Sequence, residues 1–148
     1  MTAHRPLDET DRALVALLQA NARASTAELA RKLGVAPTTV VARLARLERD
    51  GVITGYTARL AADSADGVQA YVGITVSPKA QRLVLQRLAA LPELRQLATV
   101  SGSFDFMALL RAPSTARLDA LLDEIGEIDG VVKTTTSVVL ALRIDRTA

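Results

Sequence analysis

The chain has 148 residues, is 49% hydrophobic and carries a formal net charge of +2. That allows one domain or two small ones with a sizeable core, and it excludes a disordered chain. There is no Cys, which removes disulfides, thiolate metal sites and thiol nucleophiles; the single His, His4, falls in the N-terminal tail, where neither a His-based triad nor a His metal site is expected. No signal peptide and no apolar run near about 18 residues appears, so a cytoplasmic protein without a membrane partner is expected.

Residues 1–6 read as a tail. Asp8 suits the cap of a first helix, with Glu9 and Asp11 in its first turn, where negative charge meets the positive end of the helix dipole. Leu14, Leu17 and Leu18 give that helix an apolar stripe, which fades near Asn21. Ser25 and Glu28 have capping-box spacing and start a second helix with Leu29, Ala30 and Leu33 on one face. Gly34 ends it, because glycine accepts the left-handed backbone of a sharp turn. Val35 plugs the corner and Pro37 fits the first position of a third helix. In that helix Val40, Leu44 and Leu47 face inward. Arg43, Arg46 and Arg49 recur every three residues on another side, with Thr38 and Thr39 at its start. This is the plan of a helix-turn-helix, whose second helix enters a DNA major groove. An ordinary helical hairpin with solvated arginines has the same periodicity, and Arg46 has Asp50 one turn on as an alternative partner.

Residues 52–60 have short, β-prone character around Tyr56, as a wing strand or the start of a linker. Residues 61–67, AADSADG, are small, polar and turn-prone and mark a boundary. Ala70, Val72, Ile74 and Val76 then alternate with Tyr71, Gly73 and Thr75 as a half-buried strand. Ser77–Pro78 caps a helix lined by Val84, Leu88 and Leu91 and stopped by Pro92. A second strand is expected over residues 97–101. After the Gly102–Ser103 turn a third follows over 104–111, with Phe104, Phe106, Ala108 and Leu110 on one side. Ser114 caps a last helix with Leu118, Leu121, Leu122 and Ile125 inward. A long final strand runs over 131–144, with Val138, Leu140, Leu142 and Ile144 on one face.

The order β-α-β-β-α-β predicts a ferredoxin-like four-stranded antiparallel sheet with both helices on one face. The fold class is thus α+β: a winged-type helix-turn-helix domain over residues 1–60, a linker over 61–67, and a ferredoxin-like domain over 68–148. Apolar residues on both strand faces (Tyr71, Met107, Leu109, Val139) predict that a second copy covers the open face. The basic excess sits with the helices: residues 1–60 hold nine Lys/Arg against six Asp/Glu, residues 61–148 nine against ten. So small an excess predicts weak DNA binding by one copy and a dimer that doubles the contacts.

The run ELARKLGVAPTTVVARLARLERDGVITGY, followed by a β-α-β-β-α-β domain with VSGSFDF at its central turn, resembles the Lrp/AsnC family of transcription regulators. The resemblance extends from about Leu7 to Ile144. It rests on Asp8, Asp11, Leu29, Gly34, Arg43, Leu47, Glu48, Gly51, Ile53, Gly55, Tyr56, Gly102, Asp105 and Gly130 as a set. It implies a regulator, not an enzyme, that binds double-stranded DNA as a homodimer assembling to tetramers or octamers, with no cofactor but an amino-acid effector. Ala36 departs from the usual capping Ser, at roughly 1 kcal/mol of helix stabilisation. Ala42 departs from a longer polar residue, which predicts fewer base hydrogen bonds.

Thr38, Thr39 and Arg43 are expected near base edges, and Arg46 and Arg49 at phosphates. For an amino-acid effector, the Gly102–Ser103 turn offers N–H groups and a hydroxyl to the carboxylate, and Asp105 offers a carboxylate to the ammonium. Thr134 and Thr136, matching recurrent family positions, are expected to line the same region. Gly102 and Asp105 also have plain structural roles open to them, in forming and bracing the turn. Two other classes compete: an architectural DNA-binding protein with little specificity, and an enzyme of the tetrapyrrole-decarboxylating kind. The C-terminal half has no His or Cys to support the latter.

Overall fold

The computed structural model describes residues 6–60 and 66–145. Residues 1–5 of the expected tail, His4 among them, and residues 61–65 of the expected linker lie outside these. The chain divides into two compact units, one ending at Arg59 and one spanning Leu60–Asp145.

The first unit holds α1 (Glu9–Ala20), α2 (Thr26–Leu33) and α3 (Pro37–Arg49). Its core is Leu14, Leu18, Leu29, Ala30, Val40 and Leu47, with Leu44, Val52 and Ile53 packed against it. Each fully buried Leu or Val contributes about 1.5–3 kcal/mol. Asp8 and Asp11 form a complete capping box on α1. On α2 the box is half made: the Ser25 hydroxyl accepts from the Glu28 N–H, but the Glu28 carboxylate pairs with Lys32 at 3.0 Å. Gly34 closes α2 in the left-handed region, at φ 67°. Pro37 opens α3 behind Ala36, which supplies no side-chain cap. Residues 52–60 form no strand. Of the two readings, wing strand or start of a linker, the strand is not formed; the segment has no regular structure and is tied to α3 by the Val52 and Ile53 N–H groups, both donating to the Leu47 carbonyl.

The second unit holds β1 (Val68–Val76), a 3-10 turn (Pro78–Ala80), α4 (Gln81–Ala89), β2 (Leu94–Thr99), β3 (Phe106–Ala112), α5 (Thr115–Gly126) and β4 (Val131–Val138). The sheet order is β2-β3-β1-β4, and every neighbouring pair is antiparallel. Ala70, Val72, Ile74 and Val76 of β1 and Phe106, Ala108, Leu110 and Ala112 of β3 are buried with Val84, Leu88, Leu118, Leu121 and Ile125 of the two helices. Both helices thus cover one sheet face.

Three expectations are corrected. The 3-10 turn precedes α4, and Ser77 makes no cap bond. Phe104 lies outside β3, and its ring sits over Gly73, where a Cβ would come within 2.7 Å of it. That places it on the opposite side of the sheet from Phe106, because Gly73 pairs with Met107 whereas Phe106 pairs with Ile74. Finally, β4 ends at Val138. Leu140 is 95% exposed and Ile144 71%; among the described residues no strand pairs with residues 140–144. Among the described residues no helix is long and apolar enough to cross a membrane.

Candidate nucleic-acid interface and effector region

The three arginines of α3 do not share one environment. Successive positions three apart on a helix rotate by about 300°, so the row turns as it climbs. Arg43 and Arg46 turn toward the start of α1. The Arg43 Nη1 donates to Asp8 Oδ2 at 2.6 Å and to Asp11 Oδ1 at 2.8 Å. Arg46 Nη2 donates to Asp11 Oδ2 at 2.6 Å. Asp11 is 2% exposed, the one buried charged residue among those described. Its burial is tolerable because both oxygens receive charge-assisted bonds and the Asp8 N–H adds a third at 3.3 Å.

The Arg43 guanidinium, and then the Asp11 N–H, hold the Asp8 carboxyl below its ordinary value, and the Asp8 and Asp11 carboxylates raise Arg43. Arg46 therefore pairs with Asp11, not with Asp50 one turn on. The expectation of Arg43 at base edges and Arg46 at phosphates meets two guanidinium groups already engaged within the protein. Sequence reasoning missed this network because its partners are 32 to 35 residues apart. The available signal was a pair of acids three apart on one helix facing arginines three apart on another.

Arg49 is different: its side chain is 73% exposed and its Nε lies 3.5 Å from Asp50 Oδ1, a loose surface pair of little energy. Thr38 is exposed and Thr39 half-buried. The outward stripe of α3 is Thr38, Val41, Ala42, Ala45 and Arg49, all exposed. Beyond α3, the Tyr56 hydroxyl donates to Glu48 Oε1 at 2.7 Å. Desolvation first, then that carboxylate, raises the Tyr56 phenol.

In the second unit Gly102, Ser103 and Asp105 come together at one end of the sheet. Gly102 has φ +106°, and a Cβ there would have no neighbour within 4 Å; backbone conformation, not crowding, requires glycine. The Ser103 carbonyl accepts from Thr75 Oγ1 at 3.4 Å. The Asp105 N–H donates to the Ile74 carbonyl at 3.0 Å, and its Oδ2 accepts from the Val76 N–H at 2.8 Å. Asp105 thus does brace the turn.

Thr134 and Thr136 stand apart from these three. They lie on β4, opposite Ile74 and Val72, and directly opposed residues share a face. Their side chains therefore point to the helix-covered side, and β1 separates them from the Asp105 end. The open face carries Tyr71, Met107, Leu109, Thr135 and the Phe104 ring on Gly73. Among the described residues no group of His, Cys, Asp and Glu is placed to hold a metal ion.

Residues 7–48 match the model of the AsnC-type helix-turn-helix domain, and residues 69–148 that of the Lrp/AsnC ligand binding domain. The chain is 36% identical over 141 residues to the leucine-responsive regulatory protein of Escherichia coli, covering 92% of this chain and 86% of that protein. It is 34% identical over 139 residues to an uncharacterized HTH-type transcriptional regulator of Pyrococcus abyssi, covering 93% of this chain and 88% of the relative. Among solved structures, E. coli AsnC superposes with a TM-score of 0.83 at 29% identity, covering 97% of this chain and 99% of that one.

Proposed function

The chain belongs to the Lrp/AsnC family of transcriptional regulators, and from that premise we propose how its residues divide the work. The first unit binds double-stranded DNA through the outward stripe of α3. Thr38 and Thr39 lie at the groove-entering end, and Arg49 neutralises a phosphate. Arg43 and Arg46 act chiefly as struts that fix α3 against α1. The observation that carries this division is the buried Asp11 carboxylate, which both arginines already hold.

The second unit binds an amino acid or related small molecule. The N–H groups and hydroxyl of the Gly102–Ser103 turn receive its carboxylate, and Asp105 receives its ammonium. The relative named for its leucine response supports an effector of this class. A second copy covers the open sheet face and the exposed apolar row of Leu140, Leu142 and Ile144, giving a homodimer and, through it, larger assemblies. An effector that prefers one packing of dimers then shifts the spacing of their DNA-reading helices.

The test is a titration of the purified protein against the duplex upstream of its own gene and against a random duplex, with and without the twenty amino acids. Tight binding to the upstream duplex alone, altered by the mixture, is expected. Equal, indifferent binding to both duplexes would establish an architectural DNA-binding protein instead. Sedimentation as a monomer at micromolar concentration would remove the dimer.

A further inference from the structure

We propose that α3 recognises thymine by its methyl group, with Val41 as the principal contact and Ala42 and Ala45 beside it. The inference rests on the reading of α3 as the helix that enters the major groove, and it names the chemistry of that recognition.

The exposed positions Thr38, Val41, Ala42, Ala45 and Arg49 are spaced by three, one, three and four residues, so that Val41 and Ala42 lie three and four beyond Thr38 and the five form one stripe on the helix. A Ser or Thr hydroxyl serves more than one base, whereas selective reading of guanine, adenine or cytosine uses a long hydrogen-bonding side chain: Arg or Lys, Asn or Gln, Asp or Glu. From Thr38 to Ala45 the stripe has none. The long donors nearest to it, Arg43 and Arg46, are bonded to Asp8 and Asp11. Glu48 accepts from Tyr56. Arg49 stands eleven residues beyond Thr38, about 16 Å along the helix, so it is far from any base that the start of α3 meets.

The stripe offers instead the two methyls of Val41, which is 56% exposed, and the methyls of two alanines. The major groove presents one apolar group, the C5-methyl of thymine. One exposed valine on a surface needs no explanation. Three apolar side chains in the middle of the groove-facing stripe, between a threonine and an arginine, match the one apolar feature of the groove. The stretch from Thr38 to Ala45 spans about 10 Å, or about three base pairs.

The experiment starts by selecting duplexes from a random pool with the full-length protein. The best duplex is then remade with deoxyuridine replacing thymine, one position at a time and everywhere. Deoxyuridine keeps every hydrogen-bonding group and lacks only the methyl. At the contacted positions binding should weaken about four-fold per methyl, the equivalent of ~0.8 kcal/mol for a buried CH2 group. Val41→Ala, a change at an exposed site, should cut the penalty at its own position to less than about two-fold and leave the others unchanged.

Full replacement that leaves affinity unaltered would overturn the proposal while the DNA-binding reading stands. So would a penalty equal at every position in wild type and Val41→Ala, which would belong to duplex shape. A pool that yields bound but unenriched duplexes also overturns it. A pool from which nothing binds removes the DNA-binding reading itself.

Discussion

Replacing Asp11 with Ala tests whether the Asp8–Asp11–Arg43–Arg46 network sets the geometry of the DNA-binding unit. The carboxylate is almost fully buried and receives Arg43 at 2.8 Å and Arg46 at 2.6 Å. A hydrogen bond to a charged group contributes about 1.5–3 kcal/mol where water is excluded. Both arginine side chains remain 25% exposed, so water recovers part of each bond after the change. The loss of the Asp8 N–H acceptor adds a little. A net cost of about 2–3 kcal/mol follows.

In a unit of this size that lowers the melting temperature by roughly 10–20 °C. Hydrogen exchange on the full-length protein localises the effect: amides of α1 and α3 should lose protection while those of the sheet keep theirs. Asp11→Asn retains one acceptor oxygen but turns an NH2 toward a guanidinium, so it should fall between wild type and Ala. A drop of less than about 2 °C for Asp11→Ala would refute the reasoning, because the network would then be worth no more than a surface ion pair.

Arg49→Ala should weaken binding to specific and random duplexes alike and reduce the slope of log affinity against log salt by about one; an unchanged slope takes Arg49 off the phosphates. Because Arg43 depresses the Asp8 carboxyl below 3.8 in the folded chain, the stability Asp8 contributes is complete above that ordinary value. It is lost as pH falls through the lower folded-state value. Melting temperature followed into acid should therefore drop less steeply in Asp8→Asn, and identical acid limbs would contradict this. Asp105→Asn keeps an oxygen for the Val76 N–H but removes the charge. It should leave the sheet folded and abolish the effector dependence of DNA binding; a response that survives takes Asp105 out of the site.

What was legible in the sequence is what short-range chemistry decides. Asp8, Ser25 and Ser114 cap their helices by accepting an N–H three residues on, and Gly34 makes the turn, all read from spacings of a few residues. The alternation Ala70-Val72-Ile74-Val76 placed the buried face of β1 for the same reason. The arginine partners were not legible, because helix periodicity gives the direction of a side chain but not which neighbour stands there. Phe104 keeps the two-residue period of β3, yet Gly73 leaves a bare patch on the opposite face that the ring covers. Leu140, Leu142 and Ile144 alternate as a strand does, yet strand pairing needs a partner, and among the described residues the ladder between β4 and β1 ends at Val138. For the candidate effector residues, the turn was legible and the facing of Thr134 and Thr136 was not, since it depends on register with β1.

The clasp of Asp105 on β1 reaches further than the turn it braces. Its N–H and carboxylate grip Ile74 and Val76 on either side of Thr75, and the register between β1 and β4 slips between Thr75 and Val76. At that slip the strand leaves the ladder for the Ser77–Pro78 corner that leads into α4. On the proposed reading, a ligand ammonium at Asp105 would share its carboxylate with the Val76 amide, so occupancy of the site would change how tightly the end of the strand is held.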